Sequence, residues 1–300
     1  MKKKTYLFAL MAMALTLGSC SDNENGIGGE TSKYITVSTS IGNMTRVATD
    51  ERGGQTFEEG DEISVYAWTG DATVAPETRE RVVNNAINKL TNGSWVSTPQ
   101  MLWKNNRDKH YFIGVYPISA ISDLSAGEYT FDVNKQTESD LLVAVNADGL
   151  SYNADEQQTV PLTFTHVMSK LAVNLTYKNQ WGGIPTVEKV VVGNAAKKAT
   201  VNYLTKVVTP STTAKEDFSL PEITENTKYV SVIIPQEDVK QLTIVIGGKN
   251  FVYDNGTPFK LESGKITTVN LEVGRNEIKL GDVKITDWEN GSTFSGEALN

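Results

Sequence analysis

Lys170-Leu171-Ala172-Val173-Asn174-Leu175-Thr176-Tyr177 decides the fold class. Leu171, Val173, Leu175 and Tyr177 take every second position, with Lys170, Ala172, Asn174 and Thr176 between them. Alternate side chains of a strand point to opposite faces, whereas a helix repeats only every ~3.6 residues, so this stretch reads as a strand with two distinct faces. The same period recurs outward along the chain. It marks Ile35, Val37, Thr39 and Ile41 within Tyr34–Ile41, then Ile63, Val65 and Ala67, and Tyr111, Ile113 and Val115. Further on it marks Val230, Val232 and Ile234, Leu242, Ile244 and Ile246, and Val269, Leu271 and Val273, and it continues through Ile278 and Leu280 to Val283 and Ile285. Asn92-Gly93, Asp148-Gly149, Gly247-Gly248 and Asn255-Gly256 supply turn chemistry between such runs. Only Glu80–Leu90 spaces its apolar residues as a helix would, but Asn84-Asn85 and Val82-Val83 are poor helix formers, so it reads as a strand or a short helix.

Many short strands with regular turns predict an all-β protein. At 300 residues, two β-sandwich domains in tandem, of Greek-key or transthyretin-like type, fit better than one. The polar stretch Asn146–Gln158 interrupts the strand pattern and marks the boundary, giving sandwiches over 47–157 and 158–300.

The N-terminus reads as an export signal. Lys2, Lys3 and Lys4 precede an apolar run from Tyr6 to Leu17 that is too short to span a bilayer, which takes ~20 apolar residues. The run ends in Leu17-Gly18-Ser19-Cys20, which resembles a bacterial lipobox, with cleavage before Cys20 and a lipid on its thiol. Residues 1–19 are then a lipoprotein signal peptide, and Ser21–Ser32 is a polar, Gly-rich tether. Ser21-Asp22-Asn23-Glu24 resembles the acidic export tag of surface lipoproteins in Bacteroidetes-type bacteria.

Composition excludes several classes. Cys20 is the only cysteine, so no internal disulfide or Cys-rich metal site can form. The net charge of −8 argues against nucleic acid as a partner, because a basic face is needed to displace counterions. The sequence carries no nucleophile elbow, zincin motif, P-loop or dinucleotide fingerprint. Neither histidine has a His or Cys within four residues, so no metal and no cofactor is expected. His166 reads as a hydrogen-bonded structural residue at the head of a strand, and His110, after a charged turn, as exposed. Glu58, Glu59 and Asp61, or Glu237 and Asp238, could suggest glycosidase chemistry, but an acidic chain offers such pairs by chance. No catalytic residue is assigned, and the chain is not expected to be an enzyme. Five tryptophans and eleven tyrosines leave open a surface glycan-binding lipoprotein as the alternative function.

Seven motifs occur in a familiar order. Phe57-Glu58-Glu59-Gly60-Asp61-Glu62-Ile63, Tyr111–Pro117 and Ser139-Asp140-Leu141-Leu142-Val143-Ala144 come first. Pro161-Leu162-Thr163-Phe164-Thr165-His166 follows, and then Ile234-Pro235-Gln236, Gly264-Lys265 and Ile285-Thr286-Asp287-Trp288. Together they resemble the fimbrillin-like proteins, the type V pilins of Bacteroidetes-type bacteria. The resemblance implies a shaft or tip subunit of a cell-surface fimbria, exported as an outer-membrane lipoprotein precursor. It also implies that an Arg-specific surface protease removes the lipidated tether with the first strand, residues 20–46. Arg46 is the matching position, with Arg52 as the nearby alternative. The lost strand would carry Ile35, Val37 and Ile41, and other pilin subunits would refill its place head to tail. The resemblance points to the C-terminal region as donor. Here that is 277–288, with Ile278, Leu280, Val283, Ile285 and Trp288, although the stretch also reads as an ordinary last strand. Its alternation breaks at Gly281-Asp282, which leaves the register open. Removing residues 1–19 takes away three lysines and no acid, shifting the charge from −8 to −11. Removing 20–46 takes away Lys33 and Arg46 with Asp22, Glu24 and Glu30, leaving −10 on a chain of 254 residues.

Overall fold

The structure is a computed structural model that describes residues 33–42, 56–156 and 158–288. In chain order the first eight strands are β1 (Thr36–Ile41), β2 (Glu62–Thr69), β3 (Val83–Thr91), β4 (Ser94–Thr98), β5 (His110–Tyr116), β6 (Gly127–Thr130), β7 (Leu142–Leu150) and β8 (Thr159–His166). They are followed by β9 (Ser169–Tyr177), β10 (Val187–Ala196), β11 (Lys198–Asn202), β12 (Val207–Pro210), β13 (Lys215–Ser219) and β14 (Glu222–Thr224). The last five are β15 (Lys228–Ile233), β16 (Gln236–Ile246), β17 (Lys249–Leu261), β18 (Lys265–Val273) and β19 (Ile278–Asp287). Helical structure among the described residues is limited to two 3-10 turns, Thr78–Glu80 and Asn179–Trp181. None is long and apolar enough to cross a membrane. The all-β class expected from the alternation is the class observed.

The Glu80–Leu90 ambiguity resolves to a strand. Its ladder with β2 slips between Val65↔Ala86 and Ala67↔Val83, so β3 carries one extra residue there. Asn85 lies in that bulge at φ +56°, a left-handed conformation that asparagine tolerates better than most residues. The bulge is why the apolar spacing of this stretch imitated a helix. At the β3–β4 turn, Asn92 and Gly93 both have positive φ, +51° and +73°, as a tight two-residue hairpin requires.

The strands form four sheets. One has seven strands in the order β1-β8-β7-β5-β2-β3-β4, and another has five in the order β14-β15-β9-β18-β19. A four-stranded sheet, β13-β10-β16-β17, and a three-stranded one, β12-β11-β6, complete the architecture. Strands β1 with β8 and β9 with β18 pair in parallel; the other ladders are antiparallel. β8, which falls within the 158–300 stretch, is hydrogen-bonded within the seven-stranded sheet, between β1 and β7.

The central strands of the seven-stranded sheet, β2 and β5, are buried on both faces. Ile63, Val65, Phe112, Leu162 and Phe164 pack in one cluster with Ile35 and Val37. Tyr66, Trp68, Ile113 and Val115 point the other way, into a larger cluster with Leu171, Val173, Ile244, Val269 and Leu271. Burial on both faces explains the near-continuous apolar run Ile63–Trp68, because neither side of that strand meets water.

Gly114 on β5 permits the closest approach in the first cluster: a Cβ there would meet Phe164 Cζ at 2.6 Å and Leu162 Cδ1 at 3.2 Å. Gly114→Ala is therefore expected to lower unfolding stability by about 1–3 kcal/mol, measured by equilibrium denaturation. The solvent-facing Gly70→Ser change meets no atom within 4 Å but is strained by φ +115°, so its loss measures backbone strain alone.

Candidate functional site

Residues 33–41 are hydrogen-bonded on both sides. On one side β1 runs parallel to β8, from Thr36↔Thr159 to Ile41↔Phe164, and the ladder ends with Gly42 N–H donating to Phe164 O at 2.8 Å. Side chains reinforce it, with Thr36 Oγ1 donating to Gln158 O at 3.1 Å and Ser40 Oγ to Thr163 Oγ1 at 3.2 Å. On the other side Ile35 N–H donates to Met101 O at 2.8 Å, and Trp103 N–H donates back to Lys33 O at 3.2 Å, across a Tyr34↔Leu102 bridge. Farther along, the Trp95 indole N–H donates to Thr39 Oγ1 at 3.0 Å. The first strand thus lies between β8, to which it is laddered along its length, and the chain that follows β4, to which it is joined by a single bridge at Tyr34↔Leu102.

Its inward residues do the packing. Ile35 is 3% and Val37 6% exposed, and both belong to the cluster built on Phe112 and Phe164. Ile41, at the end of the strand, is half-buried against the same cluster. Burying each of the first two side chains contributes about 1.5–3 kcal/mol. The sheet depends on this strand in a second way. β8 pairs with β7 only over Phe164–His166, so Thr159–Thr163 have their ladder partners in β1 alone. Cys20, Arg46 and Arg52 lie outside the described residues. Arg46 and Arg52 fall in the segment 43–55 that joins β1 to Thr56.

At the other end of the chain, β19 is an edge strand, antiparallel to β18. The break in its alternation is a bulge: Val269 pairs with Val283 and Leu271 with Leu280, so β19 carries one extra residue at Gly281-Asp282. Gly281 sits close to Asn270, whose Nδ2 donates to Asp282 Oδ1 at 2.6 Å. The bulge restores phase. Ile278, Leu280, Val283 and Ile285 stand directly opposite Val273, Leu271, Val269 and Thr267, all buried, and so share their face of the sheet. Position at the edge leaves that face incompletely covered. Ile278 and Leu280 are half-buried, whereas Val283 and Ile285 are 40% and 38% exposed.

Both ends of β19 are pinned. Glu277 pairs with Lys178, and Asp287 pairs with Lys265. Trp288 behaves unlike the strand that leads to it, being only 8% exposed. Its indole stacks on the His166 imidazole with centroids 4.0 Å apart and planes 7° apart, and Lys170 Nζ lies 4.1 Å from the indole centroid. The backbone N–H of Trp288 donates to Gly264 O at 2.9 Å. His166 Nδ1 is 2.8 Å from Asp140 Oδ1, and burial pushes the neighbouring Lys170 ammonium pKa down, with Asp140 pulling it back. Sequence reading gave His166 a hydrogen-bonded structural role. Its place at the end of β8, under an indole from β19, was not legible.

The other candidates are occupied structurally. His110, expected to be exposed, is fully buried: Lys104 N–H donates to its Nε2 at 3.0 Å, and Trp103 packs edge-on against its ring. The charged turn before it is the exposed part, while the histidine is drawn inward as the first residue of β5. Burial pushes its pKa below the ordinary imidazole range. Glu58 N–H donates to Asp61 Oδ2, Asn92 N–H to Glu59 Oε1, and Asp238 pairs with Lys215. Among the described residues no three His, Cys, Asp or Glu side chains are grouped to hold a metal. None of the five tryptophans is exposed. A groove of about 800 Å³ beside Trp68, Val74, Arg79, Arg81 and Trp103 is lined by buried indoles, so it offers no open ring face on which a sugar could stack.

Three comparisons fit this architecture. The family model described as fimbrillin-like matches residues 45–288, a segment that begins after β1 and ends at Trp288. A candidate fimbrium subunit, Fim1C, of Bacteroides uniformis is 25% identical over 323 aligned positions, covering 99% of this chain and all of its own. Solved structures share the fold. A candidate cell adhesion protein of Bacteroides ovatus superposes with a TM-score of 0.62 at 18% identity, covering 85% of this chain and 98% of its own. One from Bacteroides uniformis gives 0.61 at 20% identity, covering 86% and 100%. With the family model spanning most of the chain, this protein belongs to the fimbrillin-like family of fimbrial subunits.

Proposed function

We propose that this protein is a shaft or tip subunit of a cell-surface fimbria, exported as a lipoprotein and assembled by strand replacement after proteolysis. The observation that supports this most directly is the first strand. It is laddered to β8 on one side and bridged at Tyr34↔Leu102 on the other, buries Ile35 and Val37, and joins the rest of the chain through a segment that contains Arg46 and Arg52. Cleavage after Arg46 by an Arg-specific protease would cut the covalent link and leave β1 held by non-covalent contacts alone. Its departure exposes a slot walled by β8 and Met101–Trp103, with ladder groups unpaired on both walls and an apolar floor. A strand from another subunit restores both kinds of contact, as in other strand-addition complexes. Because the slot and the donor lie at different places on the subunit, the contact is heterologous, and it propagates as a filament when the rotation between subunits does not close a ring.

The donor on this reading is 277–288. It is an edge strand, and Ile278, Leu280, Val283 and Ile285 lie on one face once the Gly281-Asp282 bulge is counted. In the uncleaved chain it is paired with β18, so it has to leave that ladder before it can be given to a neighbour. Cys20 is the lipid site that holds the precursor at the outer membrane until the tether is cut.

In cells that assemble the fimbria, Arg46→Ala combined with Arg52→Ala is expected to abolish the heat-labile polymer ladder on gels of unboiled samples. Ladders of normal length in the double variant would rule out strand removal at this segment. Cys20→Ser is expected to lose metabolically incorporated palmitate and to leave the precursor unanchored; retained label would place the lipid elsewhere.

A further inference from the structure

The end of β19 is built unlike the strand it terminates. Edge strands are held mainly by their ladder, and the ion pairs at Glu277 and Asp287 are solvent-exposed, so they add little. Trp288 is the exception. It is buried, stacked face to face on His166, covered by Lys170 and bonded through its backbone to Gly264. The face of an indole attracts both a ring partner and a cation, and each contact adds to the area it buries. The residue that fixes the end of β19 thus sits on another sheet, because His166 closes β8. β8 in turn owes the pairing of Thr159–Thr163 to β1, whose last ladder bond, Gly42 N–H to Phe164 O, ends two residues from His166.

We infer that Trp288 is a catch that holds β19 on its own subunit, seated on β8 so that loss of β1 loosens it. This rests on reading β19 as the donor strand. Its consequence is an order of events. While β1 is in place, the sheet is sealed and the last strand is retained, so an unprocessed subunit can neither accept nor give a strand. When β1 leaves, Thr159–Thr163 lose their ladder partner and the seat of the indole softens. One proteolytic cut then readies the acceptor slot and the donor strand together, and premature pairing in the precursor is suppressed at both ends.

Hydrogen exchange on the uncleaved protein tests this without any polymer. Trp288→Ala is expected to speed exchange of the β19 amides about tenfold, the loss of about one stacked aromatic contact, while the β16–β17 amides stay unchanged. Trp288→Phe keeps a ring over His166 and is expected to remain within about threefold of the parent. Val37→Ala, which thins the packing under β1 and touches nothing on β19, is expected to speed exchange in Thr159–Thr163 and also, severalfold, in β19. Unchanged β19 exchange in Trp288→Ala would overturn the catch. Faster exchange at Thr159–Thr163 with none in β19 in the Val37 variant would overturn the link to β1. Failure of the donor reading shows elsewhere: polymer ladders would survive Leu280→Asp, while the exchange results would stand.

Discussion

The ladder between β1 and β8, continued by the bonds from Lys33 and Ile35 to the Met101–Trp103 segment, is the contact on which the seven-stranded sheet depends. A strand that bridges the two ends of a sheet covers part of each edge, and edges are where strands recruit other chains. Here the bridging rests on about nine residues, 33–41. Two of them, Ile35 and Val37, supply inward packing, and five residues of β8 have no other ladder partner. On the proposed cleavage, a single cut would leave this piece held by non-covalent contacts alone. Such a piece costs little to remove covalently but leaves a vacancy of several kcal/mol, and that cost favours refilling by any strand that fits.

The last strand has complementary physics. β19 displays Ile278, Leu280, Val283 and Ile285 on the core side of its sheet, yet the sheet edge leaves Val283 and Ile285 partly in water. A better-covered site would bury them more fully. The strand is therefore satisfied in its hydrogen bonds and under-satisfied in its apolar contacts, which is the imbalance an exchangeable strand needs. Electrostatics would not assist the encounter of two subunits that, on the proposed cleavage after Arg46, each carry a net charge near −10. Association between them has to come from apolar burial and ladder bonds, and it should strengthen with salt as the repulsion is screened.

Much of this was legible in the chain. Alternation identified β1, β2, β5, β9, β15, β16, β18 and β19, each of which has at least one buried face with a period of two, but it did not mark β7, β10 or the thirteen-residue β17. The break at Gly281-Asp282 was visible as a break, and the structure supplies its cause, a bulge that keeps Ile278 and Ile285 on one face. What failed to show was long-range. His110 follows six charged or polar residues and reads as exposed, but its position as the first residue of β5 draws it under Trp103. The Met101–Trp103 seam carries no strand signal of its own, because its pairing partner lies about seventy residues upstream. The Trp288–His166 stack spans 122 positions, and no local pattern announces a contact of that range. Alternation predicts which residues face a core, but not which core, and so the sealing strand could be named before its partners could.

Strand replacement requires that the subunit found in fimbriae has lost its first strand. N-terminal sequencing of the protein sheared from intact, fimbriated cells measures this directly. The expected chain begins at Val47, with Ile35 and Val37 absent from the assembled fraction. A chain that begins at an acylated Cys20 in every assembled molecule, with β1 retained, would contradict strand replacement.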